Sequence, residues 1–371
     1  MAHERKQCLS IFVTTKCNLN CSYCYTKKSI ALKQEHQAIN PKFAQIAIDD
    51  FFREYPSRHI RFYGCGEPTC EFDLIKKITE YAYKKVGDKL LVELQTNGVF
   101  SEQIAEWIAN NVNILWISAD GPKDIQNINR PTIGGEGSYD VVTRNLKFFE
   151  ELSHHNNMQL GVRATITSYA ITRQVELVNY FHSLGIKYVN AHPACITIDG
   201  KVDDIFKWDP IEFAKNFLEA HNKGKELGVY YNGLYISNFD ERTRHFCRAN
   251  IPYPHLTTDG FVSCCDFAQF GPGHDNSALQ ELIYGAFIPE ENRIFYDEDK
   301  IHEIRLRNSD RLVCGPCRGC RLAYHCGGGC VGQAILETGS LYGIHRKNCI
   351  ITRYLGERMP LDQGLAPILH S

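Results

Sequence analysis

Sixteen cysteines in a chain of 371 residues constrain this sequence more than any other feature. Most of them fall into three clusters, at residues 17–24, 247–265 and 314–349. Residues 1–6 are charged and do not begin a signal peptide, and we find no apolar run long enough to span a membrane. We therefore expect a cytoplasmic protein with reduced thiols, in which metal or iron–sulfur ligation explains the clusters better than disulfides do.

The charge balance argues against a nucleic-acid partner. The chain carries 41 basic and 43 acidic side chains, which give a net charge of −2. Such a balance provides no basic field of the kind that holds phosphate backbones by releasing counterions. The hydrophobic fraction of 43% is that of a globular chain, and the length fits one large domain or two smaller ones. We expect neither a nucleic acid nor a membrane as a partner.

Short β-type runs alternate with helical stretches between the first two cysteine clusters, which is the pattern of βα units around a parallel sheet. Strands are predicted at residues 9–15, 59–63, 90–96, 114–118, 159–167 and 187–192. Helices are predicted at residues 41–55, 71–86, 101–111, 138–154 and 172–184. We therefore predict an α/β fold with six βα units, a partial TIM-like (β/α)6 barrel over residues 1–192, with its chemistry in the loops at the C-terminal strand ends.

The rest of the chain divides by composition into three segments. Residues 193–246 form a predicted bridging region, with a helix over 210–227 and an aromatic stretch, V-Y-Y-N-G-L-Y, that suits a hairpin. Residues 247–350 are rich in glycine and cysteine, which is typical of a small domain ordered by metal sites. A short helix and a tail are predicted over residues 351–371.

The first cysteine cluster reads Cys17-N-L-N-Cys21-S-Y-Cys24 and directly follows the first predicted strand. Three thiolates from one loop, bound to a four-iron cube, leave one iron without a protein ligand. The spacing, with Tyr23 before the last cysteine, resembles the signature of the radical S-adenosylmethionine (SAM) superfamily. The resemblance implies that Cys17, Cys21 and Cys24 bind a [4Fe-4S] cluster whose open iron binds SAM. The alternative is a zinc site that lacks a fourth ligand.

Four later segments resemble further landmarks of that family. They are Gly64-C-Gly66-Glu67-P after the second strand, Q-T-Asn97-G after the third, Ser118-A-Asp120-G-P after the fourth, and Arg130 in I-N-R. The resemblance implies that the glycine-rich segment approaches the SAM amino group, that Tyr23 lies along the adenine, and that Arg130 pairs with the SAM carboxylate. The predicted SAM-binding residues are therefore Tyr23, Gly64, Gly66, Glu67, Asn97, Ser118, Asp120 and Arg130. Each feature also has a simpler interpretation when it is considered alone: Tyr23 as a packing residue, the glycine-rich segment as a strand-to-helix turn, and Arg130 as a surface arginine.

The C-terminal cysteines resemble the seven-cysteine pattern of the SPASM domain, which follows the barrel in part of the family. The pattern consists of Cys247, Gly260, Cys265, Cys317, Cys320, Cys326, Cys330 and Cys349. The resemblance implies two auxiliary [4Fe-4S] clusters, and therefore three clusters in all. The outer auxiliary cluster is assigned to Cys317, Cys320, Cys326 and Cys349, and the inner one to Cys247, Cys265 and Cys330. The fourth ligand of the inner cluster is open between Cys264, Cys314 and a substrate thiolate. A zinc ribbon, the alternative, would use only four of these cysteines.

Asp266, in C-C-D-F, directly follows Cys265. Anaerobic sulfatase maturases, a SPASM subgroup, carry a general-base aspartate in the corresponding C-D-F, and the resemblance implies that role for Asp266. A carboxylate beside an anionic cluster is expected to have a raised pKa and to accept a proton from a substrate group. The alternative is a structural carboxylate that caps a turn. Four cysteines match no motif, and buried, inert thiols are the default expectation for them: Cys8, Cys65, Cys70 and Cys195. Cys65 is the exception, because it lies inside the glycine-rich segment and is expected to be close to SAM.

The resemblance implies a radical enzyme. Reductive cleavage of SAM at the first cluster supplies a 5′-deoxyadenosyl radical, which removes a hydrogen from the substrate, and the auxiliary clusters accept the electron that the substrate radical then loses. Because SPASM enzymes mostly act on peptides or proteins, we expect a peptide maturase. Its expected product is a thioether or a carbon–carbon crosslink in a ribosomally synthesised peptide.

Three other functions are alternatives to a crosslinking peptide maturase. An anaerobic sulfatase maturase oxidises Cys or Ser to formylglycine, but residues 248–259 lack the extra cysteine that those enzymes have there. Enzymes that oxidise a small alcohol typically have a shortened SPASM domain. A zinc-only binding module fits the cysteine spacing poorly. The expected partners are a peptide or protein substrate and an external one-electron reductant. Because sixteen residues precede Cys17, we expect a leader peptide to be bound by the core or by a separate leader-binding protein.

Overall fold

The structure is a computed structural model, and it describes residues 7–26, 36–194, 204–236, 238–240, 242–273 and 277–361. Its strands are β1 (Leu9–Phe12), β2 (His59–Tyr63), β3 (Leu91–Thr96), β4 (Ile114–Ser118), β5 (Gln159–Ile166), β6 (Tyr188–Pro193), β7 (Tyr230–Asn232), β8 (His255–Leu256), β9 (Phe261–Ser263), β10 (Ile283–Ile288) and β11 (Arg293–Tyr296). They form one sheet in the order β11-β10-β9-β8-β1-β2-β3-β4-β5-β6-β7.

The α-helices lie mainly between the parallel strands. They are α1 (Pro41–Glu54), α2 (Phe72–Val86), α3 (Glu102–Asn111), α4 (Lys123–Asn129), α5 (Tyr139–Ser153), α6 (Gln174–Ser183), α7 (Pro210–Leu227), α8 (Glu298–Leu306), α9 (Ser309–Leu312), α10 (Ala323–Cys326), α11 (Val331–Thr338) and α12 (Arg346–Gly356). Among the described residues, no helix is long and apolar enough to cross a membrane.

The strands of the barrel wall present an apolar outer face, and their inner face carries buried polar side chains together with aromatic rings such as Phe12 and Trp116. In β2, Ile60 and Phe62 pack into the apolar core between the sheet and the helices. The alternate residues His59 and Arg61 are also buried, but they point to the other side of the sheet, because successive side chains along a strand alternate between its faces. The inner face is therefore lined in part by charged and polar groups enclosed by the sheet.

Local signals fix the ends of two predicted helices. The Asn40 side chain accepts a hydrogen bond from the Lys42 N–H at the start of α1, and Asp209 caps the start of α7 in the same way. Helix α7 ends at Gly228, whose left-handed φ of 70° is readily adopted by glycine. These caps and proline residues at the first helical positions explain why both helices begin where the sequence predicts.

The six predicted strands are confirmed as β1 to β6, which are parallel and adjacent in chain order. The predicted hairpin in V-Y-Y-N-G-L-Y is wrong, because residues 230–232 form β7, a single strand parallel to β6. Helix α7 provides the crossover that a parallel neighbour requires, and its packing against α6 covers the added strand. This part of the chain therefore extends the sheet. The positions of the domain boundaries stay a prediction.

The cysteine-rich region joins the other edge of the same sheet. Strand β8 pairs in parallel with β1, and β9, β10 and β11 follow as an antiparallel meander. Beyond the meander, the fully buried Arg307 donates hydrogen bonds to the carbonyls of Leu341, Gly328, Gly329 and Gly343. One guanidinium thus ties together the loops that carry the last cysteines. Residues 362–371 of the predicted tail lie outside the described residues.

Candidate active site

The first cysteine loop follows β1 and is attached to the segment after α4. The Asn20 N–H donates to the Pro131 carbonyl (2.7 Å), and the Ser22 N–H donates to the Asn129 carbonyl (2.9 Å). Backbone hydrogen bonds of this kind fix the path of the loop independently of its side chains. The cysteines are therefore held at the C-terminal ends of the parallel strands, where loops of this fold class carry chemistry.

The three thiols of this loop lie close enough together for their charges to interact. Burial and the charges of Cys21 and Cys24 raise the pKa of Cys17 to about 12. Burial also raises the pKa of Cys21 to about 11, although Arg130 acts in the opposite direction. Thiolates at these positions need a compensating cation, which an iron–sulfur cluster provides. Three thiols from one loop fit a four-iron cluster with one open iron.

The glycine-rich segment after β2 runs directly against the cysteine loop. A Cβ atom on Gly66 would lie 2.2 Å from the Lys16 carbonyl oxygen, so no other residue fits there without moving the backbone. The Gly66 N–H donates to the Thr14 carbonyl (2.9 Å), and the Glu67 N–H donates to the Lys16 carbonyl (2.8 Å). Cys65, inside this segment, is buried. The close approach explains why glycine is required at position 66.

The Glu67 carboxylate ties the loops after β2 and β3 together. It accepts hydrogen bonds from the Thr69 N–H (3.1 Å) and hydroxyl (2.7 Å), from the Thr96 hydroxyl (2.6 Å) and from the Asn97 N–H (2.6 Å). Asn97 in turn donates from Nδ2 to Asn18 Oδ1 (2.6 Å), next to Cys17. The Glu67 carboxylate makes all four of these hydrogen bonds within the protein, so Glu67 acts by positioning the neighbouring loops.

Asp120 has the same role between β4 and β5. Its carboxylate accepts hydrogen bonds from the Tyr23 hydroxyl (3.2 Å), the Asn129 side chain (3.2 Å) and the Thr165 N–H (2.9 Å). Arg130 donates to the Tyr23 hydroxyl. The exposed fraction of Arg130 is 6%, which rules out the surface-arginine alternative. Its charge lies near Cys21, so the loop combines thiols with a buried cation suited to an anionic ligand.

The inner face of the barrel contains Asp266, which approaches from the cysteine-rich region. Its carboxylate pairs with Arg61, and its Oδ1 lies 3.1 Å from His255 Nε2. Burial acts to raise the pKa of Asp266, but Arg61 and His255 outweigh it and hold the pKa well below its usual range. Arg61 and His255 thus oppose the rise in pKa that a neighbouring anionic cluster is expected to cause. Its side chain keeps an exposed fraction of 31% and can reach a ligand.

Sequence reasoning missed a second polar group on the inner face. The Arg163 guanidinium lies over the Trp116 ring at 5.0 Å, and its Nε and one Nη make no hydrogen bond with any described residue. Burial and the charge of Arg163 lower the pKa of His192 to about 3, so its imidazole is neutral. A charged residue in the middle of the apolar strand β5 is the signal that could have revealed this group.

The remaining motif cysteines form two further groups in space. The charges of Cys317, Cys349 and Cys320 act on Cys326, and those of Cys330, Cys264 and Cys247 act on Cys265. The fully buried Cys264 lies in the second group, with Cys247 close to it. Cys314 is exposed, and its thiol donates to the Asp310 carbonyl. The structure thus places a fourth thiol beside Cys247, Cys265 and Cys330.

Most of the predicted site residues converge on one end of the sheet. The first cysteine loop, the glycine-rich segment, Asn97, Asp120 and Arg130 contact one another or share partners there. Ser118 ends β4 beside Arg163 of β5, and Asp266 lies within the barrel. Of the cysteines without a motif, Cys8 is buried, Cys70 is half-buried, and Cys195 lies outside the described residues.

Comparison with known proteins identifies the family. The sequence profile of the Radical SAM superfamily matches residues 11–162. An uncharacterised protein of Methanocaldococcus jannaschii is 32% identical over 248 residues, which cover 65% of this chain and 78% of the relative. A cysteine-type anaerobic sulfatase-maturating enzyme of Clostridium perfringens is 25% identical over 341 residues, 85% of each chain. The radical SAM cyclopropyl synthase TigE of Paramaledivibacter caminithermalis is 19% identical and covers 96% of this chain and 74% of its own. The chain belongs to the radical SAM superfamily.

Solved structures of two relatives share the fold. Native anSMEcpe with bound AdoMet and Cp18Cys peptide has a TM-score of 0.72 at 19% identity and covers 95% of this chain and 97% of its own. Streptococcus suis SuiB bound to precursor peptide SuiA has a TM-score of 0.60 at 17% identity, with coverages of 93% and 76%. The predicted α/β barrel fold is confirmed. The chain is a radical SAM enzyme similar to a sulfatase-maturating enzyme and to a radical SAM cyclopropyl synthase.

The network around Glu67 generates a prediction. Glu67→Gln places an amide group opposite an N–H or hydroxyl donor, so at least one buried donor loses its acceptor. We expect the free energy of unfolding to fall by about 1–3 kcal/mol, as measured by chemical denaturation. Glu71→Gln, four residues further on and half-buried, is the matched control and is expected to change stability by less than about 0.5 kcal/mol. Equal effects of the two variants would contradict the role given to Glu67.

Proposed function

We propose that this enzyme is a peptide maturase of the SPASM type that removes a hydrogen from a residue of a ribosomally synthesised peptide and forms a thioether or carbon–carbon crosslink. The observation that carries the proposal is the grouping of ten motif cysteines into three sets in space, with Asp266 on the inner face of the barrel. One set adjoins the loops at the C-terminal strand ends, the inner set includes residues just before β8 and just after β9, and the outer set lies in the segments that follow the meander. A substrate at the centre would therefore contact both halves of the protein.

The first set, Cys17, Cys21 and Cys24, is assigned to the [4Fe-4S] cluster that binds SAM. Bound there, SAM and the cluster supply a 5′-deoxyadenosyl radical when an external reductant provides one electron. The chain's own part is to hold SAM. Tyr23 and the buried Arg130 form one wall of that site, and Ser118 lies on the same end of the sheet. Gly64 and Gly66 bring the backbone close, while Glu67, Asn97 and Asp120 fix the loops.

The two other sets are assigned to auxiliary clusters. Cys317, Cys320, Cys326 and Cys349 bind the outer [4Fe-4S] cluster, and Cys247, Cys265 and Cys330 bind the inner one. We assign the fourth ligand of the inner cluster to Cys264, because it is fully buried beside Cys247 and Cys265 while Cys314 is exposed. A cluster closed by Cys264 leaves no iron for a substrate thiolate, which favours a role in accepting an electron.

Asp266 is assigned as the proton acceptor for the substrate residue. Arg61 and His255 hold its carboxylate in place on the inner face, and because they also lower its pKa, it accepts a proton only as that ion pair is weakened by a bound substrate. The Tyr25 hydroxyl donates to the Asp266 carbonyl (3.2 Å) and fixes the backbone at this position. These contacts support a placed and charged group better than a simple turn cap.

A sulfatase-maturase reaction is the second candidate. It is supported by the similarity to the Clostridium perfringens enzyme along 85% of each chain and by the aspartate in C-C-D-F. Against it, residues 248–259 contain no cysteine. The peptide bound in the anSMEcpe structure and the precursor peptide bound in the SuiB structure both support a peptide substrate for this chain. A leader peptide would be held by the core or by a separate leader-binding protein.

Incubation with candidate peptides tests the reaction. The enzyme is supplied with SAM, a one-electron reductant and peptides encoded beside its gene, and products are read by mass spectrometry. A crosslink removes two hydrogen atoms from the peptide mass per event and leaves two residues joined in the fragment spectra, and that is the expected result; a single serine that loses two hydrogens would instead be formylglycine. Replacement of a cysteine sulfur by oxygen, with the loss of two hydrogens, would identify formylglycine and reject the crosslink in favour of the second candidate. SAM cleavage that no peptide alters in rate or product would count against both.

The role of Asp266 is tested by Asp266→Asn, which keeps the shape of the side chain and removes its charge. We expect the yield of 5′-deoxyadenosine to stay unchanged while modified peptide falls at least roughly tenfold, because general-base groups contribute on the order of a hundredfold or more. Asp259→Asn, a carboxylate in the turn between β8 and β9, is the control. An unchanged yield of modified peptide in Asp266→Asn would contradict the assignment.

The ligand assignment of the inner cluster is tested by Cys264→Ala against Cys314→Ala. Anaerobically purified Cys264→Ala is expected to lose iron, up to about four atoms per chain, and to change the electron paramagnetic resonance signal of one auxiliary cluster. Cys314→Ala is expected to match the parent protein in both measurements. The opposite pattern would make Cys314 the ligand, and no change in either variant would favour an open iron.

A further inference from the structure

A separate group of metal-ligating side chains lies at the opposite end of the barrel from the cysteine loops. Cys8 directly precedes β1, His59 begins β2, and Glu93 lies in β3. Their exposed fractions are 0%, 5% and 4%. The Cys8 Sγ, one imidazole nitrogen and one carboxylate oxygen all lie within 4.8 Å of one another. We call these three residues the barrel-floor triad.

The three side chains come from adjacent strands, so their spacing is fixed by the sheet. Leu9, next to Cys8, pairs with Ile60, and His59 pairs with Leu91 in the parallel ladder. Backbone positions within a sheet move less than those on loops, so the three ligand atoms are placed before any ion binds. Because the side chains are already in place, binding an ion there would cost little conformational entropy.

Direct hydrogen bonds account poorly for the barrel-floor triad. His59 Nε2 lies 3.0 Å from Glu93 Oε2, but it makes no hydrogen bond of acceptable geometry. The Cys8 thiol donates to the carbonyl of Leu9 over a distance of 3.7 Å. A cation placed between the three atoms needs a lone pair from each, so its binding would release the thiol proton of Cys8 and the proton through which His59 pairs with Glu93.

The donor set is one sulfur, one nitrogen and one oxygen, which is a borderline set suited to Zn²⁺. Two charged groups face it. Arg61 is engaged by Asp266 and by Ser10. The second is Arg248, whose charge acts on Cys8. A dication bound by one thiolate and one carboxylate forms a neutral unit, so it adds no net charge beside Arg248.

We propose that Cys8, His59 and Glu93 bind a zinc ion that ties β1, β2 and β3 together at the barrel floor. Water completes the tetrahedral coordination. Three protein ligands and a water are the arrangement typical of catalytic zinc, but this site lies at the N-terminal ends of the strands, the end of such barrels associated with stability, so we assign it a structural role. The proposal is independent of the proposed peptide reaction. It gives Cys8 a role that the sequence did not assign.

Metal analysis and zinc K-edge X-ray absorption of the anaerobically purified, iron-loaded protein test the site. We expect about one zinc per chain, with one sulfur scatterer near about 2.3 Å and nitrogen or oxygen scatterers near about 2.0–2.1 Å. Cys8→Ser and Glu93→Gln are each expected to lower bound zinc roughly tenfold or more while iron content stays unchanged. Cys314→Ser is the matched control and keeps its zinc.

Using both Cys8→Ser and Glu93→Gln controls for loss of folding. An unchanged iron content in either variant shows that the barrel and its cluster loops are intact. Zinc that is absent from the parent protein, and that does not bind when added, would overturn the proposal and leave a buried ion pair in its place. Zinc that persists in both variants would overturn it as well. Four sulfur scatterers around zinc would show that the ion occupies cluster cysteines instead.

Discussion

Buried carboxylates that join the loops at the C-terminal strand ends are the interaction on which the rest of this structure depends. Glu67 takes four hydrogen bonds from the loops after β2 and β3, and Asp120 takes hydrogen bonds from Tyr23, Asn129 and Thr165. Each carboxylate is buried, and its desolvation is offset by donors that would otherwise be unsatisfied. The cysteine loop and the buried Arg130 are thereby held in position, with Arg130 joined to Asp120 through the Tyr23 hydroxyl.

The barrel and the cysteine-rich region are coupled through the inner face of the sheet. Strand β8 pairs with β1, and Asp266 from the cysteine-rich region reaches Arg61 of β2. This contact crosses from the second strand of the barrel to a residue adjoining the inner cysteine group. It places a charged carboxylate between the two halves of the protein, where a substrate radical and an electron acceptor would have to meet. The proposed reaction depends on this geometry.

The sequence predicts elements that local patterns determine and misses those determined by distant partners. The six strands follow from alternating and apolar runs, and α7 follows from its capping Asp209 and Gly228. Strand β7 was missed because three residues carry too little pattern and its pairing with β6 is settled in space. The low pKa of Asp266 could not be predicted, since Arg61 lies 205 residues away in the chain. Burial, which the spacing of cysteines does not reveal, separates Cys264 from Cys314.

Three four-iron clusters are the central claim, because the proposed radical chemistry and electron transfer both rest on them. The most direct measurement is iron and sulfide analysis of the anaerobically purified enzyme, combined with Mössbauer spectroscopy. The account predicts roughly twelve iron atoms per chain, all in [4Fe-4S] clusters. About four iron atoms per chain, with the C-terminal cysteines holding zinc or no metal, would contradict it.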